Sequence, residues 1–245
     1  MNRVQFKSHF NTDSLVVLPV IHVTDNNQTV RNIQLAIDGG CPGVFLINHD
    51  FPVEQFLPII RHARQQFPQF WIGVNFLAVT GDKAFPVLAQ LGTENAKVDA
   101  YWADDARIDE KKPATDQPEA CNITKTKTDC GWNGMYFGGT AFKKQREVNP
   151  ADYGKSAAIA TSHMDVVTTS GIATGHSADL TKIATFREAC VDTPVALASG
   201  ITPENVTEYL PYIDTALVAT GINVKDDFYN IDAGRLKDLM NAIRG

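Results

Sequence analysis

Three apolar runs in this 245-residue chain stop at a small hydroxyl residue followed by glycine. "DVVTTSG" ends in Ser170-Gly171, "PVALASG" in Ser199-Gly200 and "TALVATG" in Thr220-Gly221. Glycine lets the main chain approach a ligand closely and take up positive φ. A helix starting just beyond offers unbonded amides and a partial positive charge, which attract anions. In "SGITPENV", Thr202 fits an N-cap and Pro203 the first helical position. Ser170, Gly171, Ser199, Gly200, Thr220 and Gly221 are therefore candidates for an anion pocket, with a phosphate group the best-fitting guest. The plainer alternative is that these glycines only permit tight strand exits. The first run continues "IATGHSADL", where Thr174, Gly175, His176 and Ser177 could form a main-chain nest or a flexible lip. His176 could donate a proton there or be an idle loop histidine.

Other polar residues interrupt or end apolar runs. His22 lies in "PVIHV", His49 and Asp50 end "GVFLINHD", Asn75 lies in "FWIGVNFLA", and Asp104 and Asp105 end "VDAYWADD". A carboxylate such as Asp104 could serve as general acid or base, its pKa tuned by burial. Alternation along a strand turns only one of Asp104 and Asp105 inward, and the pair could instead cap a helix. The same carboxylates could hold Mg²⁺ beside a phosphorylated substrate; no other cofactor is implied. Asn75 could orient a substrate, and His22 or His49 could support it or make a structural hydrogen bond. Lys143, placed at the end of strand five, could pair with phosphate or act as an amine nucleophile; the alternative is a surface lysine. No Walker motif, catalytic-triad order or zinc-ligand spacing occurs.

What would position these residues is a regular alternation. Short apolar runs, rich in Val, Ile, Phe and Ala, are followed eight times by stretches with helical spacing or capping signals. Uniformly apolar strands suit a parallel sheet covered on both faces. Eight such units in a chain of this length predict a single α/β domain over 1–245, a (β/α)8 barrel, whose active sites gather at the C-terminal ends of the strands. A doubly wound open sheet is the rival. The polar, lysine-rich segment 106–132 breaks the rhythm and reads as a long, lid-like insertion after strand four.

Composition narrows the partners. With 22 Lys and Arg against 28 Asp and Glu, the net charge is -6, which argues against a nucleic-acid surface. No apolar run approaches the ~18 residues of a membrane span, and the first residues lack the apolar core of a signal peptide. A cytoplasmic protein is the simplest expectation. Cys41 and Cys190 read as buried thiols, and Cys121 and Cys130 could pair only in an oxidising setting. An assembly of identical chains is left open.

From "DVVTTSGIATGHSADL" through "PVALASGITPENVTEYLPYIDTALVATGI" the chain resembles the BtpA/SgcQ family. "PVIHV", "GVFLINHD" and "GVNFL" are similar to the first three strands of that family. The resemblance implies a ribulose-phosphate-binding type of TIM barrel with a phosphate site at Gly200 and Gly221. It departs at strand five, where the family tends to carry Asp, His and Lys in alternation and this chain has Gly139, Ala141 and Lys143. The leading expectation is an enzyme acting on a sugar phosphate or phosphoribosyl compound by isomerase- or lyase-type proton transfer, with Asp104 as acid-base residue. The alternatives are a non-catalytic assembly or stability factor of the BtpA type, and phosphoribosyl transfer to a nucleobase. The last would normally use a pyrophosphate loop that the chain lacks.

Overall fold

A computed structural model describes residues 1–143, 145–173 and 175–244. Its eight strands close into one parallel barrel in the order of the chain. They are β1 (Val16–Val23), β2 (Gly43–Asn48), β3 (Trp71–Phe76), β4 (Ala100–Ala103), β5 (Met135–Gly139), β6 (Val166–Thr169), β7 (Val195–Leu197) and β8 (Thr215–Val218), with β8 pairing back onto β1 through Leu18 and Leu217. The helices are α1 (Arg3–His9), α2 (Asn26–Asp38), α3 (Val53–Gln66), α4 (Gly81–Thr93), α5 (Pro118–Asp129), α6 (Tyr153–Ala160), α7 (Leu180–Ala189), α8 (Val206–Tyr209) and α9 (Ala233–Ala242). Among the described residues no helix is long and apolar enough to cross a membrane.

Period-two alternation splits the core into two layers. Val16, Leu18, Val20, Phe45, Ile47, Trp71, Trp102, Phe137 and Leu217 fill the lumen. Their neighbours Val17, Ile21, Val44, Leu46, Ile72, Val74 and Tyr101 pack outward against Ile33, Phe56, Phe85, Ile183 and Leu236 of the helices. Helix starts follow the expected chemistry: the Asp25 side chain accepts the Gln28 N–H at 2.9 Å, and Asp179 and Asp232 cap α7 and α9 in the same way.

Helix α1, which the sequence does not announce, plugs the N-terminal mouth. Phe6 is fully buried in the lumen layer, its ring 6.4 Å from Phe137, and Phe10 stands 5.3 Å from Trp71. Around this end an aspartate precedes every other strand from β4 onward. Asp99, Asp165 and Asp214 accept the main-chain N–H of Ile72, Tyr136 and Val195 on the preceding strand, at 3.0, 2.9 and 3.0 Å. Each also pairs with a cation from the helix that leads into that preceding strand: Arg64 of α3 at 2.6 Å, Lys127 of α5 at 2.9 Å and Arg187 of α7 at 2.8 Å. The repeated "VDAYW", "MDVVT" and "IDTAL" carry this device in the sequence.

Segment 106–132 differs from the expected insertion. Its second half is α5, which packs beside α4 as the regular helix of the fourth unit, leaving 104–117 as a βα loop. Only Ala120 and Ile123 of that helix are buried, so the apolar stripe is too thin to show a period against Thr and Lys. The loop itself is tied down: Arg146 bonds both carboxylate oxygens of the buried Glu110, and the Gln117 side chain bonds Asp109 N–H and C=O at 2.9 and 2.8 Å. All four cysteines are free thiols, Cys121 and Cys130 on and just after α5 included.

Candidate active site

Continuing the inward alternation past the last apolar layer puts polar residues at the C-terminal mouth. Val20 is followed by His22, Ile47 by His49 and Trp102 by Asp104, and all six line one hollow. Asn75 follows Trp71 and Gly73 in the same parity on β3. Lys143, Gly175, Ser199, Gly200, Ile201 and Thr220 close the hollow from the β5 to β8 side. It takes in about 600 Å³ of space between atoms, part of it open solvent.

Asp104 is held in place by its neighbour: Asn75, fully buried, donates from Nδ2 to Asp104 Oδ1 at 3.1 Å. Asp105 turns outward, as alternation requires, and accepts the Arg107 N–H at 2.8 Å. His22 Nδ1 lies 3.0 Å from the carbonyl of Phe228. Because a carbonyl only accepts, Nδ1 carries the proton and Nε2 is left as a lone-pair acceptor. The imidazole stacks on Phe228 at 3.8 Å and meets His49 edge-on at 4.8 Å. Burial first, then the His49 charge, pushes the His22 pKa down to about 3, so this ring is neutral at pH 7.

Lys143 lies beyond the end of β5 rather than in it, because the strand stops at Gly139 and the chain turns through Ala141 at φ 46°. Its main-chain N–H donates to Ser170 Oγ at 2.8 Å and its ammonium reaches the Ala198 carbonyl at 3.4 Å. Ser170 and Gly171 do not line the hollow. The Ser170 hydroxyl accepts from Lys143 N–H and donates to the Gly171 carbonyl, both at 2.8 Å, which fixes the neighbouring turn. Lys182 of α7 does similar work. Its ammonium donates to the Ala141 and Ser170 carbonyls at 2.6 and 2.8 Å, and burial lowers its pKa to about 8.

The glycines have a second job that the sequence left open. A Cβ on Gly200 would fall 2.1 Å from the His176 carbonyl oxygen, and one on Gly221 would fall 1.9 Å from that of Ile201. Three loops thus pack main chain to main chain at these positions. Ser199 Oγ donates into the β6 loop at the Ala173 carbonyl, 3.0 Å away. Asn205 stitches the β7 loop by accepting Thr202 N–H at 2.9 Å and donating to Gly200 C=O at 2.8 Å. Arg235 spans the β7 and β8 loops, bonding both oxygens of Glu204 at 2.7 and 3.1 Å and the Gly221 carbonyl at 3.2 Å. Gly221 itself sits behind the wall. Gly200 and Thr220 do line the hollow, and their N–H groups meet no acceptor among the described residues. Thr174 lies outside the described residues; among the described residues His176 makes main-chain hydrogen bonds, its N–H going to Ala173 C=O at 3.3 Å and its carbonyl accepting from Ser199 Oγ at 3.2 Å. The expected helix from Pro203 reduces to a turn followed by the single helical turn of α8.

Gly200→Ala is expected to cost about 2 kcal/mol, since φ is +69° and the new methyl group meets main chain that cannot yield cheaply. Gly92→Ala, where nothing lies within 4 Å, is the control and should be neutral or stabilising. Urea melts of both variants check the contrast.

Phe228, Arg235 and Lys182 escaped the sequence reading. The first two sit in and after a polar loop without periodicity, and Lys182 looks like any helix lysine.

No curated protein matches the chain in sequence. Solved barrels do match in shape. Phosphoribosyl anthranilate isomerase from Thermus thermophilus is 14% identical with a TM-score of 0.62, over 94% of this chain and 98% of that one. The tryptophan synthase alpha subunit from Legionella pneumophila is 16% identical at 0.65, over 100% and 99%. Orotidine 5'-monophosphate decarboxylase from Methanocaldococcus jannaschii, in complex with the inhibitor BMP, is 11% identical at 0.64, over 95% and 100%. At such identities the likeness establishes a shared barrel and nothing finer. The BtpA family model matches residues 123–245, from α5 through the three glycine loops to the end of the chain, and the chain belongs to the BtpA family.

Proposed function

We propose that this chain is an enzyme that transforms a small phosphorylated molecule, a sugar phosphate or phosphoribosyl compound, by isomerase- or lyase-type proton transfer. One observation carries the reading: a single hollow at the barrel mouth is lined by Asp104, His22, His49 and Lys143 together with Gly200 and Thr220, whose amides meet no acceptor among the described residues. In this reading the amides and Lys143 receive the phosphate. Asp104, oriented by Asn75, exchanges a proton with the substrate. Neutral His22 accepts a hydrogen bond at Nε2 and stays uncharged throughout. Proteins of similar shape are named for phosphoribosyl and 5'-monophosphate compounds, which supports the same substrate class.

Thermal melting of the whole chain tests the reading. A phosphate ester at 100 times its Kd should add about 2.7 kcal/mol, or roughly 5–10 °C for a domain of this size. Lys143→Ala should remove most of that gain without lowering the melting point of the ligand-free chain by more than about 2 °C, on the scale of a substitution at a half-buried residue. Equal shifts from the unphosphorylated alcohols, or none from any phosphate ester, would overturn it.

A further inference from the structure

We infer that the ligand's end remote from its phosphate is a flat, largely apolar group, not a polyhydroxylated chain. The inference rests on the phosphate reading of the mouth. One inward position deeper than the polar residues, the hollow is walled by Val20, Ile47, Trp102, Ala198 and Leu217, with Leu77 at its side. These belong to the packed lumen layer or lean on it. The polar atoms near that depth are withdrawn from any guest. Trp102 Nε1, Asn75 Oδ1, Thr168 Oγ1 and Thr215 Oγ1 are all sealed from water and have no hydrogen-bond partner. A hydroxyl seated against the apolar wall in front of them would surrender its bonds to water and receive none, and an open-chain sugar carries several such groups.

A ring suffers no such loss. It exchanges water for carbon on both faces, which is favourable in proportion to the apolar area covered. Trp102 is placed to provide one wall: Phe45 and Phe142 hold it edge-on, each at 5.9 Å. Polar substituents at the edge of a ring would remain level with Asp104, His22 and His49, whose side chains line the hollow above its apolar wall. The division of labour is vertical: charge is met at the loops, proton exchange at the rim, and apolar surface at the floor.

Calorimetric titration of the full chain with inorganic phosphate, ribose 5-phosphate and phenyl phosphate separates the possibilities. Phenyl phosphate is expected to bind at least tenfold tighter than either of the others. Leu77→Asn, a change at a half-buried position, should erase that tenfold advantage while leaving the affinity for inorganic phosphate within twofold. Ribose 5-phosphate binding as tightly as phenyl phosphate, or more tightly, would overturn the inference and leave the phosphate site standing. If none of the three binds, the phosphate reading falls as well. Should Leu77→Asn fail to fold, the comparison of the three ligands on the unaltered chain still decides.

Discussion

Asp104→Asn is expected to lower kcat by about 10²–10⁴-fold, the usual worth of a positioned acid-base group, on whichever phosphate ester the thermal screen returns. Ligand affinity should stay within a few-fold. The substitution is nearly isosteric, and an amide oxygen can still accept the Asn75 Nδ2 bond that is 3.1 Å long in the native chain. What disappears is the capacity to take and return a proton. Asp105→Asn is the internal control. That side chain follows directly, turns outward and pairs with Arg107 at 3.3 Å, so turnover should be unchanged. Asn75→Ala should give an intermediate loss in kcat, because the carboxylate remains but loses the Asn75 hydrogen bond that helps to orient it. A chain that keeps full turnover as Asp104→Asn would remove Asp104 from the acid-base role, whereas full biological activity in that variant with no turnover of any phosphate ester would return the non-catalytic, assembly-factor reading to first place. Deleting residues from the 106–132 segment cannot serve as the converse test. It would strip α5 from the barrel wall and expose α4, whose Phe85 stacks on Trp132 at 5.1 Å.

How much of this was legible beforehand depended on whether a residue belonged to a periodic element. Strand alternation is a strict rule of geometry, so once the eight apolar runs were recognised, His22, His49, Asn75 and Asp104 had to fall on one parity at one end. Glycines are different. A glycine after a strand signals only that a side chain is forbidden, not what forbids it. At Gly200 and Gly221 the obstacle is a carbonyl from a neighbouring loop, information that resides in the packing of three segments far apart in the chain. Ser170 shows the same limit: a hydroxyl at a strand end suits a ligand or a main-chain partner equally, and the turn at Lys143 took it. Helix α5 was hidden because a helix covered on one narrow stripe needs only two buried residues, too few to mark a period. The aspartates of "VDAYW", "MDVVT" and "IDTAL" were visible as a repeat. Their meaning was not, since each acts on the strand before its own.

Acid stability should depend strongly on His22. The folded chain holds this imidazole at about pKa 3 against an ordinary 6.5, and the dominant cause is burial. The neighbouring charges of His49 and Lys143 push the same way, whereas the Phe228 carbonyl and Asp50 oppose them. Between those two values the unfolded chain binds a proton that the folded chain refuses, so stability falls as the pH falls. The contribution is fully present above pH 6.5 and is lost progressively toward pH 3; a shift of this size is worth up to about 4–5 kcal/mol, of which about 2 is gone by pH 5. His9 and His163, also lowered by burial, tilt the curve in the same sense, which makes the difference between two chains the useful quantity. His22→Gln can still donate to the Phe228 carbonyl but cannot titrate. Urea unfolding from pH 7 to pH 4 should show the native chain losing about 2–3 kcal/mol more than the variant; parallel curves would mean that the imidazole is not sealed. The same burial has a consequence for turnover. A ring that stays neutral down to such acidity cannot act as a general acid near pH 7, so a pH–rate profile with a limb between 5 and 8 has to be assigned to another group at the mouth, and His22→Gln should lower kcat without moving that limb.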